Sequence, residues 1–341
     1  MDTKVEKKQF LIYLIAAYGV TFLMGLLMWY GNARGLDVSA FPNAQMMYPA
    51  AGVMLAYLLT RKEDERIPKG FYCAFLFVTI LLAGVSVISV FIGNKTISMG
   101  TGSLSLWILL PQYIIIVGSL LCWGFFIAAG KEKREAYGLR WCNGRSSVFC
   151  ILLFLILYLL RLAFSCAVSG EIGAFSEIFK KPATWVNLLA LSVNFFLVFA
   201  AFFGEEYGWR YYMQPFLQKK YGLRGGVLIL GVVWGLWHLP VDFFYYTSPE
   251  MGLIAAVSQQ ITCIFLSIFF AWAYMKTNNI WVPVILHFMN NNLIPIISGN
   301  YSADVLQNQQ MSWGQLPMAL LMNVIFFGGF LFSRVFREKE D

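Results

Sequence analysis

Along nearly the whole of this 341-residue chain, apolar residues come in runs of about 20, separated by short polar stretches. A run of that length makes a helix able to cross the hydrocarbon core of a bilayer. Ten spans are predicted, near residues 10–30, 45–60, 71–93, 104–129, 147–168, 184–204, 225–244, 252–275, 280–298 and 314–333. The second is the shortest and carries Pro49, a residue that disturbs a helix interior. The opening MDTKVEKKQF and the apolar run after it look at first like a secretory leader. That run is long for a leader, and no small-x-small cleavage site follows, so it is read as a first span that is retained.

Composition agrees with this pattern. The chain is 59% hydrophobic and 13% charged, against about 25% charged in an ordinary soluble domain. The fold class expected is all-α, a polytopic transmembrane helix bundle of about ten spans. The formal charge of +7 raises nucleic acid as a partner, and the placement of the cations argues against it. With the amino terminus inside, 20 of the Lys and Arg residues fall in inner segments, including Lys339 near the end, and only Arg34, Lys95, Lys180 and Lys181 fall outside. That asymmetry is a topology signal. It predicts a multi-pass membrane protein with both termini on the cytoplasmic side, with the lipid bilayer as partner and no nucleic acid. The oligomeric state is not readable.

Six cysteines, Cys73, Cys122, Cys142, Cys150, Cys166 and Cys263, are scattered without a CxxC. They read as inert apolar thiols, not as a disulfide or metal framework. The basic loop 130–146 divides the chain into residues 1–146, a four-helix region without a recognised motif, and residues 147–341, a six-helix region that carries the candidate chemistry. Arg161 sits within a span, where it can snorkel to the interface or pair with an acid. Asp242, after Pro240, reads as a solvated carboxylate at a helix end.

The chemistry begins where the run 184–204 meets FGEEYGWRYY. Ionisable groups against a membrane span are functional candidates that require a partner. Glu206 and Arg210 are four apart and share a helix face. Glu205 is turned about 100° from Glu206, so one carboxylate can be tied to Arg210 while the other faces a cavity. Gly204 and Gly208 form a small-xxx-small edge that permits close helix approach. In the next span, GVVWGLWHLPVDFF, Trp234 and His238 are four apart, Gly231 and Gly235 offer another close-packing edge, and Pro240 should kink the helix or free carbonyls near the histidine. The ninth span, IWVPVILHFMNNNLIP, sets His287 four before Asn291, with Asn290 and Asn292 alongside. Each group alone admits a structural explanation as a charge cluster or an inter-helix hydrogen-bond set. Together they bring the chain's two histidines, its adjacent glutamates and an Asn run onto three helices within about 90 residues. Glutamate and histidine can activate water; histidine and asparagine can stabilise a developing oxyanion. A hydrolytic site is expected.

These residues resemble the CPBP (Abi) family of intramembrane proteases, which includes CAAX prenyl endopeptidases and bacterial proteins linked to bacteriocin processing and self-immunity. The resemblance rests on Glu205-Glu206-x-x-x-Arg210, Trp234-x-x-x-His238 and His287-x-x-x-Asn291, in order on successive helices, and covers about residues 184–300. The second motif usually has Phe where this chain has Trp234. The resemblance implies that Glu205 and His238 activate water on a membrane-associated peptide or protein substrate, and that His287 and Asn291 stabilise the tetrahedral intermediate. Glu206 and Arg210, with Trp234, would support them. The family is named for metalloprotease activity. Glu205, His238 and His287 are an acceptable set for a divalent metal such as zinc, but HExxH is absent, and a metal-free glutamate mechanism fits the same residues. A transporter using this polar cluster as an ion pathway is the alternative, although no inverted repeat is visible. A non-catalytic immunity or scaffold protein is the other.

Overall fold

The computed structural model describes residues 4–100, 102–300 and 305–337; Lys339, counted among the inner cations, lies outside them. The chain is a helical bundle, with one antiparallel hairpin, β1 (Thr96–Met99) and β2 (Gly102–Ser105), in the connection between two long helices.

Helices occupy all ten predicted positions. They are α1 (Lys4–Asn32), α2 (Phe41–Thr60), α3 (Lys69–Ile92), α4 (Leu106–Ala128), α5 (Gly144–Val168), α6 (Pro182–Tyr221), α7 (Leu223–Trp237), α8 (Pro249–Thr277), α9 (Trp281–Ser298) and α10 (Leu316–Phe326). Among the described residues, six are long and apolar enough to span a bilayer, or seven when α7 and its bent continuation count as one. The expected count of ten is therefore not reached on length and composition. α10 has only 11 residues before it gives way to tight turns. α2 and α9 are long enough but diluted by Pro, Asn, Gln and His. Two short helices were not anticipated: Gly130–Ala136 inside the basic loop and Ile172–Lys180 before α6.

The bundle reverses the polarity of a soluble protein. Leu189 is 74% exposed and Ile127 70%, whereas Glu205, Glu206 and Arg210 lie inside. Apolar side chains that face outward along helices of this length meet lipid at no cost, and polar groups turned inward must find partners there. The chain is an integral, multi-pass membrane protein.

Close backbone approach sets the centre of the bundle. A Cβ on Gly204 would lie 2.4 Å from the Met46 carbonyl oxygen, and one on Gly208 would lie 2.3 Å from Pro49 Cβ. Only glycine lets α6 rest on α2 there. The same holds for α7 on α8, where a Cβ on Gly231 would sit 2.6 Å from Ile264 Cα. Pro49 remains inside α2 without ending it.

Candidate active site

Both glutamates stand at a change of pitch. The regular part of α6 ends at Glu206, and Tyr207–Met213 continue as a widened, π-type turn. Such insertions recur at functional sites because they re-aim side chains that a regular helix would spread evenly. Arg210 still reaches back: its Nε donates to Glu206 Oε2 at 2.9 Å, and its Nη1 donates to Ser267 Oγ on α8 at 2.9 Å. The guanidinium carbon lies 4.8 Å from the centre of the Trp234 ring and 5.5 Å from that of Phe270. Both partners of the ion pair are fully buried. The other oxygen of Glu206, Oε1, lies 2.9 Å from His287 Nδ1. Glu206 thus ties α6 to α9, while Arg210 ties α6 to α8. A carboxylate only accepts, so His287 Nδ1 carries a proton and Nε2 is the atom left for the cavity.

Glu205 has a different neighbour. Its Oε2 accepts from Trp234 Nε1 on α7 at 2.8 Å. Trp234 therefore does more than preserve an aromatic ring: its edge donates to one glutamate while its face covers the arginine that holds the other. The sequence offered a signal, Trp in place of the family's usual Phe, without showing what the indole N–H would meet.

His238 sits at the break in α7. The pieces Leu223–Trp237 and Leu239–Tyr246 are bent by 41°, as expected of a helix that meets Pro240. His238 Nδ1 lies 2.9 Å from the Trp234 carbonyl oxygen, which can only accept, so Nδ1 is protonated and Nε2 is the basic nitrogen. Other acceptors near the bend are satisfied by residues that the motifs do not include. Gln45 Nε2 on α2 donates to the Trp237 oxygen at 3.0 Å, and the Tyr18 hydroxyl on α1 donates to the Val233 oxygen. Trp237 Nε1 donates to the Ala17 oxygen at 2.8 Å. Pro240 marked the bend; nothing in the sequence said that α1 and α2 would hydrogen-bond to the residues beside it.

On α9 the Asn run divides its work. Asn290 Nδ2 donates to Asn291 Oδ1 at 3.0 Å, and Asn292 Nδ2 donates to the Phe288 oxygen at 2.9 Å. With its oxygen engaged, Asn291 keeps its NH2 group as a donor.

Glu205, Trp234, His238, His287 and Asn291 all line one cavity of about 600 Å³. Glu206 and Arg210 stand behind its wall, fully buried. A second cavity of about 580 Å³, floored by Trp123, Phe126 and Trp281, contains none of the motif residues. One expectation is corrected. Asp242 is not a solvated carboxylate at a helix end: it is 1% exposed and lines the first cavity. Its backbone N–H donates to the His238 oxygen at 2.9 Å, and its Oδ2 has no hydrogen-bond partner. The bend at Pro240 folds this segment inward, where a straight helix would have carried it to the interface.

The residues do not fit a metal as arranged. Among the described residues no three His, Cys, Asp or Glu side chains converge as a cation requires. Of the candidate ligands, Glu205 has one oxygen held by Trp234, and His238 and His287 each keep only Nε2 open.

Residues 185–293, about the stretch covered by the three motifs, match the family profile described as type II CAAX prenyl endopeptidase Rce1-like. The chain is also 28% identical over 162 residues to "CAAX prenyl protease 2" of Methanococcus maripaludis, across 46% of this chain and 58% of that relative. The chain thus spans little more than half the length of the relative it matches. No solved structure matches. The similarity to the CAAX prenyl endopeptidase profile is thus confined to the stretch that carries all three motifs.

Proposed function

We propose that this protein is an intramembrane endopeptidase that hydrolyses a peptide bond of a membrane-associated peptide or protein. The observation that carries the reading is the division of labour within one cavity. Glu205, His238, His287 and Asn291 each commit one polar atom to the scaffold and leave another for a ligand. That is the pre-organisation a hydrolytic site needs, because groups already held in place are not reorganised during the reaction.

In this reading Glu205, through the oxygen that Trp234 does not hold, takes a proton from a water whose other hydrogen bond goes to His238 Nε2. The resulting hydroxide attacks the scissile carbonyl carbon. Asn291 Nδ2, together with His287 Nε2 when that nitrogen carries a proton, donates to the tetrahedral oxyanion. Collapse breaks the C–N bond, and the proton held by Glu205 passes to the leaving amine. Glu206 and Arg210 act behind this set: they fix the His287 ring and anchor α6 to α8. CAAX-type peptides, the substrates named for the relatives, are one substrate class for this cavity.

The test is cleavage of a fluorogenic membrane-peptide library by purified wild type beside Glu205→Ala and His238→Ala, with and without a zinc chelator. Loss of one general acid–base group lowers the rate by roughly 10²–10⁴-fold, and chelation is expected to leave wild type unchanged. Equal background from wild type and both variants would remove the hydrolase reading in favour of transport. Loss of activity on chelation would overturn the metal-free assignment alone.

A further inference from the structure

α5 belongs to none of the three motifs, yet it turns one face into the same cavity. Tyr158, Arg161, Leu162 and Ser165 line it, at the i, i+3, i+4, i+7 spacing of a single helix face. Arg161 lies seven residues before the end of α5 at Val168, about 10 Å along the axis at 1.5 Å per residue. A cation at such a position ordinarily pairs with an acid or a backbone carbonyl. Arg161 does neither: among the described residues it makes no ion pair and no hydrogen bond. Glu205 and Asp242, the carboxylates that share the cavity, are not within ion-pair distance of it. The contrast with Arg210 is direct, because that guanidinium is spent on Glu206 and Ser267. To the same cavity α8 contributes Ser258, Gln259 and Thr262, side chains able to bond an extended peptide backbone.

We infer that Arg161 is a substrate-binding residue that takes a carboxylate of the peptide lying in the cavity. This rests on the hydrolase reading of that cavity. A guanidinium presents parallel N–H donors that match a carboxylate in bidentate geometry. Apolar lining from Leu162, Ile294 and Met322 lowers the local dielectric and strengthens the contact. The carboxylate is either a free chain terminus or an Asp or Glu side chain, and the two sources give different results in one experiment.

Three labelled Leu/Ala peptides serve as probes: one with a free terminal carboxylate, one amidated, and one amidated with an internal Glu. Their binding to the purified Glu205→Gln protein, which holds but does not cleave, is read by fluorescence anisotropy with Arg161 or Arg161→Gln. The expected result is binding of one or both carboxylate peptides roughly 10- to 100-fold tighter than the amide, with the advantage abolished by Arg161→Gln and partly kept by Arg161→Lys. A preference for the free terminus alone assigns the α-carboxylate; a preference for internal Glu alone assigns the side chain. Equal affinity for all three peptides with Arg161 in place overturns the inference, and that comparison needs no variant at position 161 to fold. Equal weakening of acid and amide peptides by Arg161→Gln overturns it as well. In wild type with Glu205, the same substitution should raise KM for the preferred peptide and leave kcat in place. Carboxylate discrimination without hydrolysis of any peptide would remove the hydrolase reading and keep the subsite; hydrolysis without discrimination would do the reverse.

Discussion

The Glu206–Arg210 pair is the feature on which the site is built, and its energetics can be worked from its contacts. Arg210→Met keeps a long apolar side chain against Trp234 and Phe270 but strands the Glu206 carboxylate in the bundle. Breaking a buried pair in this way costs about 3–5 kcal/mol. Glu206→Gln strands the guanidinium instead. The amide oxygen can still accept from His287 at the Oε1 position, which turns the new NH2 group toward Arg210 Nε, donor against donor. A similar ~3–5 kcal/mol is expected. The double variant buries no charge and loses only hydrogen bonds such as that to Ser267, about 1–3 kcal/mol in all. The two single losses together therefore exceed the double by roughly 3 kcal/mol or more. Reversible unfolding in mixed detergent–SDS micelles, followed by tryptophan fluorescence, supplies the four stabilities of the cycle. Additivity to within about 0.5 kcal/mol would refute the argument, because it would mean that the two side chains do not sense each other's charge.

Other consequences can be checked separately. Trp234→Phe keeps an aromatic ring over Arg210 but removes the 2.8 Å donor to Glu205, worth about 1.5–3 kcal/mol as a bond to a charged group; kcat/KM should fall roughly tenfold or more, and an unchanged value would show that the indole N–H is idle. Gly208→Ala forces a Cβ to within 2.3 Å of Pro49 and should lower the thermal midpoint far more than Gly235→Ala, whose Cβ meets only the movable end of Gln260 at 2.6 Å; equal effects would contradict the close packing of α6 on α2. In the loop before α3, hydrogen bonds from Arg66 hold the Asp64 carboxyl well below the usual range, and Tyr137 adds another. A depressed folded pKa contributes stability above the unfolded value of 3.8 and loses it as pH falls toward the folded one. The difference in thermal midpoint between wild type and Asp64→Asn should thus be present at neutral pH and narrow below about pH 4; a difference independent of pH would assign it to shape instead of charge.

How much of this was legible beforehand depended on whether the determining interaction was local. Apolar runs located all ten helices, because solvation in lipid acts on each segment by itself. They overcounted spans where Pro49 and the Asn run dilute a helix that protein, not lipid, surrounds. The i, i+4 spacing of Glu206 with Arg210 anticipated a real ion pair, since one helix turn brings those groups together whatever surrounds them. Trp234 with His238 likewise shares a face at that spacing, with Nδ1 of the histidine on the Trp234 carbonyl. Contacts between distant segments were beyond such reasoning. That Glu206 Oε1 meets His287, that Trp234 donates to Glu205, and that Gln45 and Tyr18 serve the bend at Pro240 depend on how α1, α2, α6, α7 and α9 pack. Packing also reversed the reading of Asp242 and set Arg161 on a cavity wall. The sequence by itself determined which helices the paired polar side chains lie on and which of them share a face, because helical periodicity is a property of the chain. Only the tertiary structure decided which atom of each residue is spent on the scaffold and which is left for a ligand, because a hydrogen bond within a membrane bundle is settled by whichever partner close packing brings within reach.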